Sequence, residues 1–229
     1  VTGAVFPVVI DPDFSGSTVD GYIRGRDATY STARSTSYGY DTTVDNLRVG
    51  QWYLSPNHII YRSSLKFDTS DIPDDNTITQ VNLKLTVQGD YSDTDFDVQI
   101  VKQNWSGQDP LYTNRETAYD NCLSGTADDS IWRNTNGISA DSTYTSGKLS
   151  TSWINKEGNT YYSLRSSRDK NANEPTGNEY IYLYSAESTT ASYRPVLVVV
   201  HSASQNYTLT CAAGSYSLTG SAATLTVQR

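Results

Sequence analysis

Residues 79–87 alternate without a break (TQVNLKLTV). Val81, Leu83, Leu85 and Val87 fall on one face, and Gln80, Asn82, Lys84 and Thr86 on the other. A period of two is that of a strand with one face turned to a core, so this run commits the chain to β-sheet. Phe96, Val98 and Ile100 repeat the pattern, and Ile59, Tyr61, Leu65 and Phe67 share one face of a longer strand upstream. The segment GDYSD at 89–93 reads as the turn of a hairpin. Residues 68–75 (DTSDIPDD), with Pro73, read as a loop. Further strands are expected over 161–165, 180–184 and 196–200. Residues 149–156 (LSTSWINK) are expected to form a short helix docked by Trp153 and Ile154 and ended by Gly158. The stretch 103–147 is rich in Asn, Asp, Ser, Thr and Gly, and reads as long loops with one or two short strands.

Residues 207–228 are almost uncharged and alternate in three short pieces: Tyr207, Leu209, Cys211; Tyr216, Leu218; Ala223, Leu225, Val227. Such a meander buries little by itself and needs a surface to pack on. The division expected is an N-terminal arm at 1–17, a main β-sandwich at 18–202 and a β tail at 203–229. The arm carries an apolar run at 4–10 (AVFPVVI) that could pair with the tail or enter a neighbour. Uncharged, strand-forming ends expose open edges unless something covers them, which points to assembly with neighbouring protein subunits.

The 229 residues suit one large sandwich or a domain with an appendage. Of the 36% hydrophobic residues, 18 are tyrosines, so the core should be thin and sheet-like rather than a thick helical bundle. A net charge of −8 with no basic run argues against nucleic-acid binding, and suits solubility. No apolar run approaches the roughly 20 residues that span a bilayer, so no membrane insertion is expected. No stretch reads as a signal peptide, which a virion protein does not need. Cys122 and Cys211 could form one bridge or remain two buried thiols. The sequons Asn104-Trp105-Ser106 and Asn206-Tyr207-Thr208 carry weight only in a eukaryotic secretory context.

Several segments resemble one family in order. Asp20-Gly21-Tyr22-Ile23 is similar to its opening strand, and Asn46-Leu47-Arg48-Val49-Gly50 to the next. Arg62-Ser63-Ser64-Leu65-Lys66-Phe67-Asp68 followed by Ile72-Pro73 resembles a central R-x-x-L-x-F-D … I-P segment, running on into Val81-Asn82-Leu83-Lys84-Leu85. Ser185-Ala186-Glu187 and Arg194-Pro195-Val196-Leu197 resemble a closing S-x-E … R-P-x-L strand. Together, over roughly 18–201, these resemble the DNRLRE-type carbohydrate-binding-like modules. The tail more loosely resembles the Gly-rich β segments of phage structural proteins. The family resemblance implies a jelly-roll-like antiparallel sandwich, polysaccharide as the ligand of its binding members, and no catalytic residues.

The residues themselves give little catalytic signal. His58 and His201 lie in strand-like runs, and no G-x-S-x-G, H-E-x-x-H or C-x-x-C occurs. Acidic pairs are too common among 25 acids to mark a glycosidase. The chain is therefore expected not to be an enzyme, and to need no cofactor. A sugar stacks its C–H face on aromatic rings. Tyr180, Tyr182 and Tyr184 would form a ladder on one sheet face, which Tyr161 or Tyr162 and Trp52 or Tyr53 could extend, Tyr162 and Trp52 being the residues chosen, with Ile181 and Leu183 facing the core. The alternative is that these tyrosines pack in the core or at an edge. Aspartates gather at 90–97, 68–75 and 11–20, and a structural calcium is expected first at Asp93 and Asp95, although loop aspartates also cap backbone N–H groups. Arg62 and Arg194 read as buried, paired arginines that tie strand ends. The functional expectation is a non-catalytic structural or decoration protein of a virion or extracellular surface, serving assembly and adhesion to a cell-surface glycan. The alternative is a secreted carbohydrate-binding module acting beside polysaccharide-degrading enzymes.

Overall fold

The computed structural model describes residues 9–10, 12–109, 111 and 115–203. In chain order the strands and helices are β1 (Val9–Ile10), β2 (Asp13–Ser15), β3 (Gly21–Asp27), α1 (Tyr30–Ser35), β4 (Ser37–Asp41), β5 (Asn46–Leu54), β6 (Asn57–Asp68), β7 (Thr77–Ser92) and β8 (Asp97–Val101). They continue with α2 (Arg115–Ser124), β9 (Ala127–Asn134), β10 (Thr143–Thr145), β11 (Asn159–Ser166), α3 (Ser167–Lys170), β12 (Asn178–Tyr184) and β13 (Val196–Ser202).

All the strand pairings are antiparallel, and the class is the all-β sandwich that the alternation demanded. The first half of β7 pairs with β13, and its second half with β12, which in turn pairs with β5. The facing layer is the C-terminal half of β6 with β11, β8 and β9. Between them lies the main core. Val81, Leu83, Leu85 and Val87 of β7, with Ile181, Leu183, Leu197 and Val199, meet Leu65, Phe67, Val98, Ile100 and Leu164. These residues are fully or almost fully buried, which makes burial of apolar area the main drive for the fold.

β6 is the pivot. Its residues 57–61 pair with β5, residues 58–64 with β3 on the other edge, and residues 63–68 with β11. One side of this strand therefore serves two environments: Leu65 and Phe67 fill the main core, while Ile59 and Tyr61 join a separate aromatic cluster. Its opposite side, with Ile60, lies in a third cluster that includes Tyr30 and Ala33 of α1 and Ala118 and Tyr119 of α2.

Three local expectations fail. Residues 89–93 do not turn, because β7 runs through Gly89 and Tyr91 to Ser92, held by pairing with β12. The chain bends only at Asp93 and Thr94. Residues 149–156 form a single 3-10 turn, Thr151–Trp153, rather than a helix. The stretch 103–147 contains a ten-residue helix, α2, and the strands β9 and β10. α2 escapes notice because it buries only Ala118, Tyr119 and Cys122, too few for a clear stripe. β10 pairs alongside β7, and together with the residues that follow it buries Asn82 and Thr86 as well. Asn82 Nδ2 donates to the carbonyls of Ser146 and Gly147, and the Thr86 and Thr143 hydroxyls share a hydrogen bond. β1 pairs with the end of β13. The tail meander with Cys211, the apolar residues 4–8 and Asp11 lie outside the described residues. Cys122 is a buried thiol that donates to the Leu164 carbonyl.

Candidate functional site

Pairing register brings one set of rings together. Across β5 and β12, Tyr180 lies opposite Gly50 and Tyr182 opposite Arg48; across β12 and β7, Tyr180 lies opposite Tyr91 and Tyr182 opposite Gly89. Across β5 and β6, Gly50 lies opposite Tyr61, and across β6 and β3, Ser63 lies opposite Tyr22. Tyr180 is the hub. Its ring centroid lies 5.2 Å from Tyr91, 5.5 Å from Tyr182, and 5.8 Å from both Trp52 and Tyr61. Tyr22 packs edge-on to Tyr61 at 5.8 Å. These separations are those of favourable aromatic pairs.

Two glycines permit this closeness. Gly50 has φ +124°, and a Cβ there would stand 2.2 Å from the Glu179 carbonyl oxygen. At Gly89 a Cβ would come within 2.8 Å of the Tyr91 ring, which folds back over it.

The rings form a floor and a surface. Tyr22, Tyr61 and Tyr180 are buried, the last at 9% exposure. Trp52 and Tyr182 are half-buried, and Tyr91 is 46% exposed. Arg48 lies over this floor, its guanidinium 4.5 Å from the Tyr22 centroid and 4.6 Å from that of Tyr182. Its Nε donates to Asn46 Oδ1. Among the described residues the ion pairs are made by Arg34, His58, Arg62, Lys66, Lys84 and Arg168, so no carboxylate neutralises Arg48. Burial pushes the Tyr180 phenol up to about 12, helped by Tyr182 and Tyr61. Burial also raises Tyr182 and Tyr22, against the pull of Arg48. The phenols therefore stay protonated at neutral pH and can donate hydrogen bonds.

The expected ladder is thus divided. Tyr180, Tyr182 and Trp52 belong to the cluster. Tyr184 does not: it packs on Tyr193 at 4.7 Å and donates to Asp141 Oδ1 at 2.8 Å. Tyr162 must be corrected. It is 0% exposed within the main core, because β11 turns it inward between the layers, and it offers no surface to a ligand. Tyr91, Tyr22, Tyr61 and Arg48 also join this cluster, and the sequence did not single them out for it. Reading 89–93 as a turn hid Tyr91. The alternation of Arg48, Gly50 and Trp52 along β5 was the signal available for Arg48.

The acidic groups separate. Asp93 Oδ2 accepts from the Asn178 N–H and Asp95 Oδ1 from the Thr135 hydroxyl. Asp68 and Asp90 accept from the N–H and hydroxyl of Ser70 and Ser92 respectively. No group of three or more His, Cys, Asp or Glu side chains converges on a metal position among the described residues. Asp20 is buried. Burial and then the adjacent Glu187 hold its carboxyl well above the usual range, while the Ala186 N–H opposes them. Both Glu187 oxygens are buried without another donor among the described residues. His58 Nε2 meets Glu174 at 3.2 Å, and His201 Nδ1 pairs with Asn76 Nδ2 at 2.7 Å.

Arg62 is buried and paired, as expected. It holds both oxygens of Asp169 at 2.8 and 3.1 Å and lies 3.8 Å from the Tyr119 ring centroid. Arg194 is half-buried and donates to the Ser188 carbonyl at 2.9 Å. No protein-family model matches this chain, and no curated protein matches it either.

Proposed function

We propose that this protein is a non-catalytic carbohydrate-binding protein of an extracellular or virion surface, with the face of Trp52, Tyr91 and Tyr182 as its sugar platform. The observation that carries the reading is the layering of these rings. Partly exposed rings rest on a buried aromatic floor, beside an arginine with no acidic partner among the described residues. A sugar needs a flat apolar surface for its C–H face and a few fixed donors for its hydroxyls, and this arrangement supplies both. Rings locked by packing lose little freedom when a ligand docks. The resemblance to DNRLRE-type modules supports the same reading. Adhesion to cell-surface glycans joins it to the structural role expected of a virion or fibre component. Action beside a polysaccharide-degrading enzyme is the secreted variant of the same chemistry.

A glycan array with the intact protein tests it, with and without added calcium, alongside Tyr182→Ala and Tyr91→Ala. The second variant removes a ring that is 46% exposed, and a circular-dichroism melt beside it checks that the fold is kept. Selective binding to one glycan class, lost in both variants, is the expected result. Binding to no glycan, or binding indifferent to both substitutions, would remove this face as a sugar site.

A further inference from the structure

The aromatic face does not stop at Tyr22. In β3, alternation puts Arg24 and Arg26 on the side of Tyr22, opposite Tyr61 and Ile59 of β6. β4 pairs with β3 through a register shift between Arg24 and Gly25. The shift gives β4 one extra residue there and turns the Tyr38 ring to the same side. That ring lies 5.3 Å from the Arg24 guanidinium and 5.8 Å from that of Arg26, and Tyr38 is 57% exposed. Neither arginine has an ion-pair partner among the described residues.

The face therefore carries an exposed aromatic at each end, Tyr91 on β7 and Tyr38 on β4, with Arg48, Arg24 and Arg26 between. From β7 through β12, β5, β6 and β3 to β4 there are five strand gaps, roughly 24 Å along the sheet at about 4.8 Å each. One pyranose advances a chain by about one strand spacing. A monosaccharide or disaccharide could touch only one aromatic end; a chain of about five rings would reach both. Guanidinium groups without acidic partners keep their N–H donors for the ring oxygens and substituents along the way.

We infer that the ligand is a linear polysaccharide lying across the strands, and that Tyr38 with Arg24 and Arg26 forms a second subsite at the far end from Tyr91. The inference rests on the glycan-binding reading above.

The test is calorimetric titration of the full chain with the glycan class found on the array, supplied as a series from disaccharide to octasaccharide. Tyr38→Ala and Arg24→Ala/Arg26→Ala are titrated beside it. Affinity should rise with length and level off at about five rings. Tyr38→Ala should cancel about tenfold of that gain for long oligomers and leave the shortest bound oligomer unchanged. The double arginine variant should act in the same length-dependent way. Equal affinity at every length, or an equal loss at every length in Tyr38→Ala, would overturn the second subsite while leaving the Tyr91–Tyr182 platform standing. Binding to no glycan on the array would remove the platform and the subsite together.

Discussion

Arg62 and Arg48 both set a guanidinium over tyrosine, and they sit only a short way apart on opposite sides of one curled sheet. Arg62 is shut away over Tyr119, with Asp169 taking two of its donors and the carbonyls of Tyr119 and Arg34 taking others. Arg34 joins the same carboxylate at 3.1 Å. Arg48 lies over Tyr22 and Tyr182, with Asn46 on its Nε and no ion-pair partner among the described residues. A buried charge must be matched or it destabilises the fold, so the first site is closed and saturated. A half-buried charge can leave donors unused at little cost, so the second site needs no carboxylate to be stable. The same residue pair, Arg on Tyr, is closed by an ion pair in one place and left without one among the described residues in the other.

The largest effect should come from breaking the closed site. Asp169→Ala would strand Arg62 and Arg34 and should cost about 3–5 kcal/mol of stability, seen as a lower urea midpoint. A loss under about 1 kcal/mol would show that the two sites are energetically alike. Arg48→Ala should do the reverse: change stability by no more than about 1 kcal/mol, yet weaken glycan binding about tenfold. If Arg48→Ala unfolds the protein, the contrast fails.

A third test concerns pH. The Asp20 carboxyl is raised in the folded state by burial and by Glu187, so the fold holds this proton more tightly than the unfolded chain does. The stability it contributes is complete below the ordinary carboxylate pKa and is lost as pH rises through the raised folded value. Thermal melting temperature should therefore fall across that window, and Asp20→Asn should flatten the fall. A profile identical in the two proteins would show that another group sets it. The smallest effect is expected at Tyr162, whose hydroxyl is buried without a hydrogen-bond partner among the described residues. Tyr162→Phe should be neutral or stabilise by up to about 1 kcal/mol, and leave glycan binding untouched. Loss of binding would return Tyr162 to the ligand site.

Much of the fold was legible from period alone. The runs at 81–87 and 96–100 needed no context, because a strand with one buried face writes its environment into every second residue. The helix α2 was not legible, since three buried residues in ten leave no stripe. At the site, alternation placed Tyr180 and Tyr182 on one side but could not say that Tyr184 would find Tyr193 instead. Tyr161 and Tyr162 show the same limit. Adjacent tyrosines of one strand go to two different cores, and only the layers on either side decide which is which.

What the amino-acid order determined by itself is the alternating runs around 59–67, 79–87 and 96–100, the face each turns to the core, and a tyrosine-rich composition that suits a sheet rather than a helical bundle. Those are local properties, written in spacing and composition. What only the tertiary structure decided is which faces meet. Tyr22, Arg48, Tyr91 and Tyr180 are far apart in the chain, and their contact depends on the register of β3, β6, β5, β12 and β7. Register is a long-range choice, settled by burying the main core, and the aromatic face follows as its consequence.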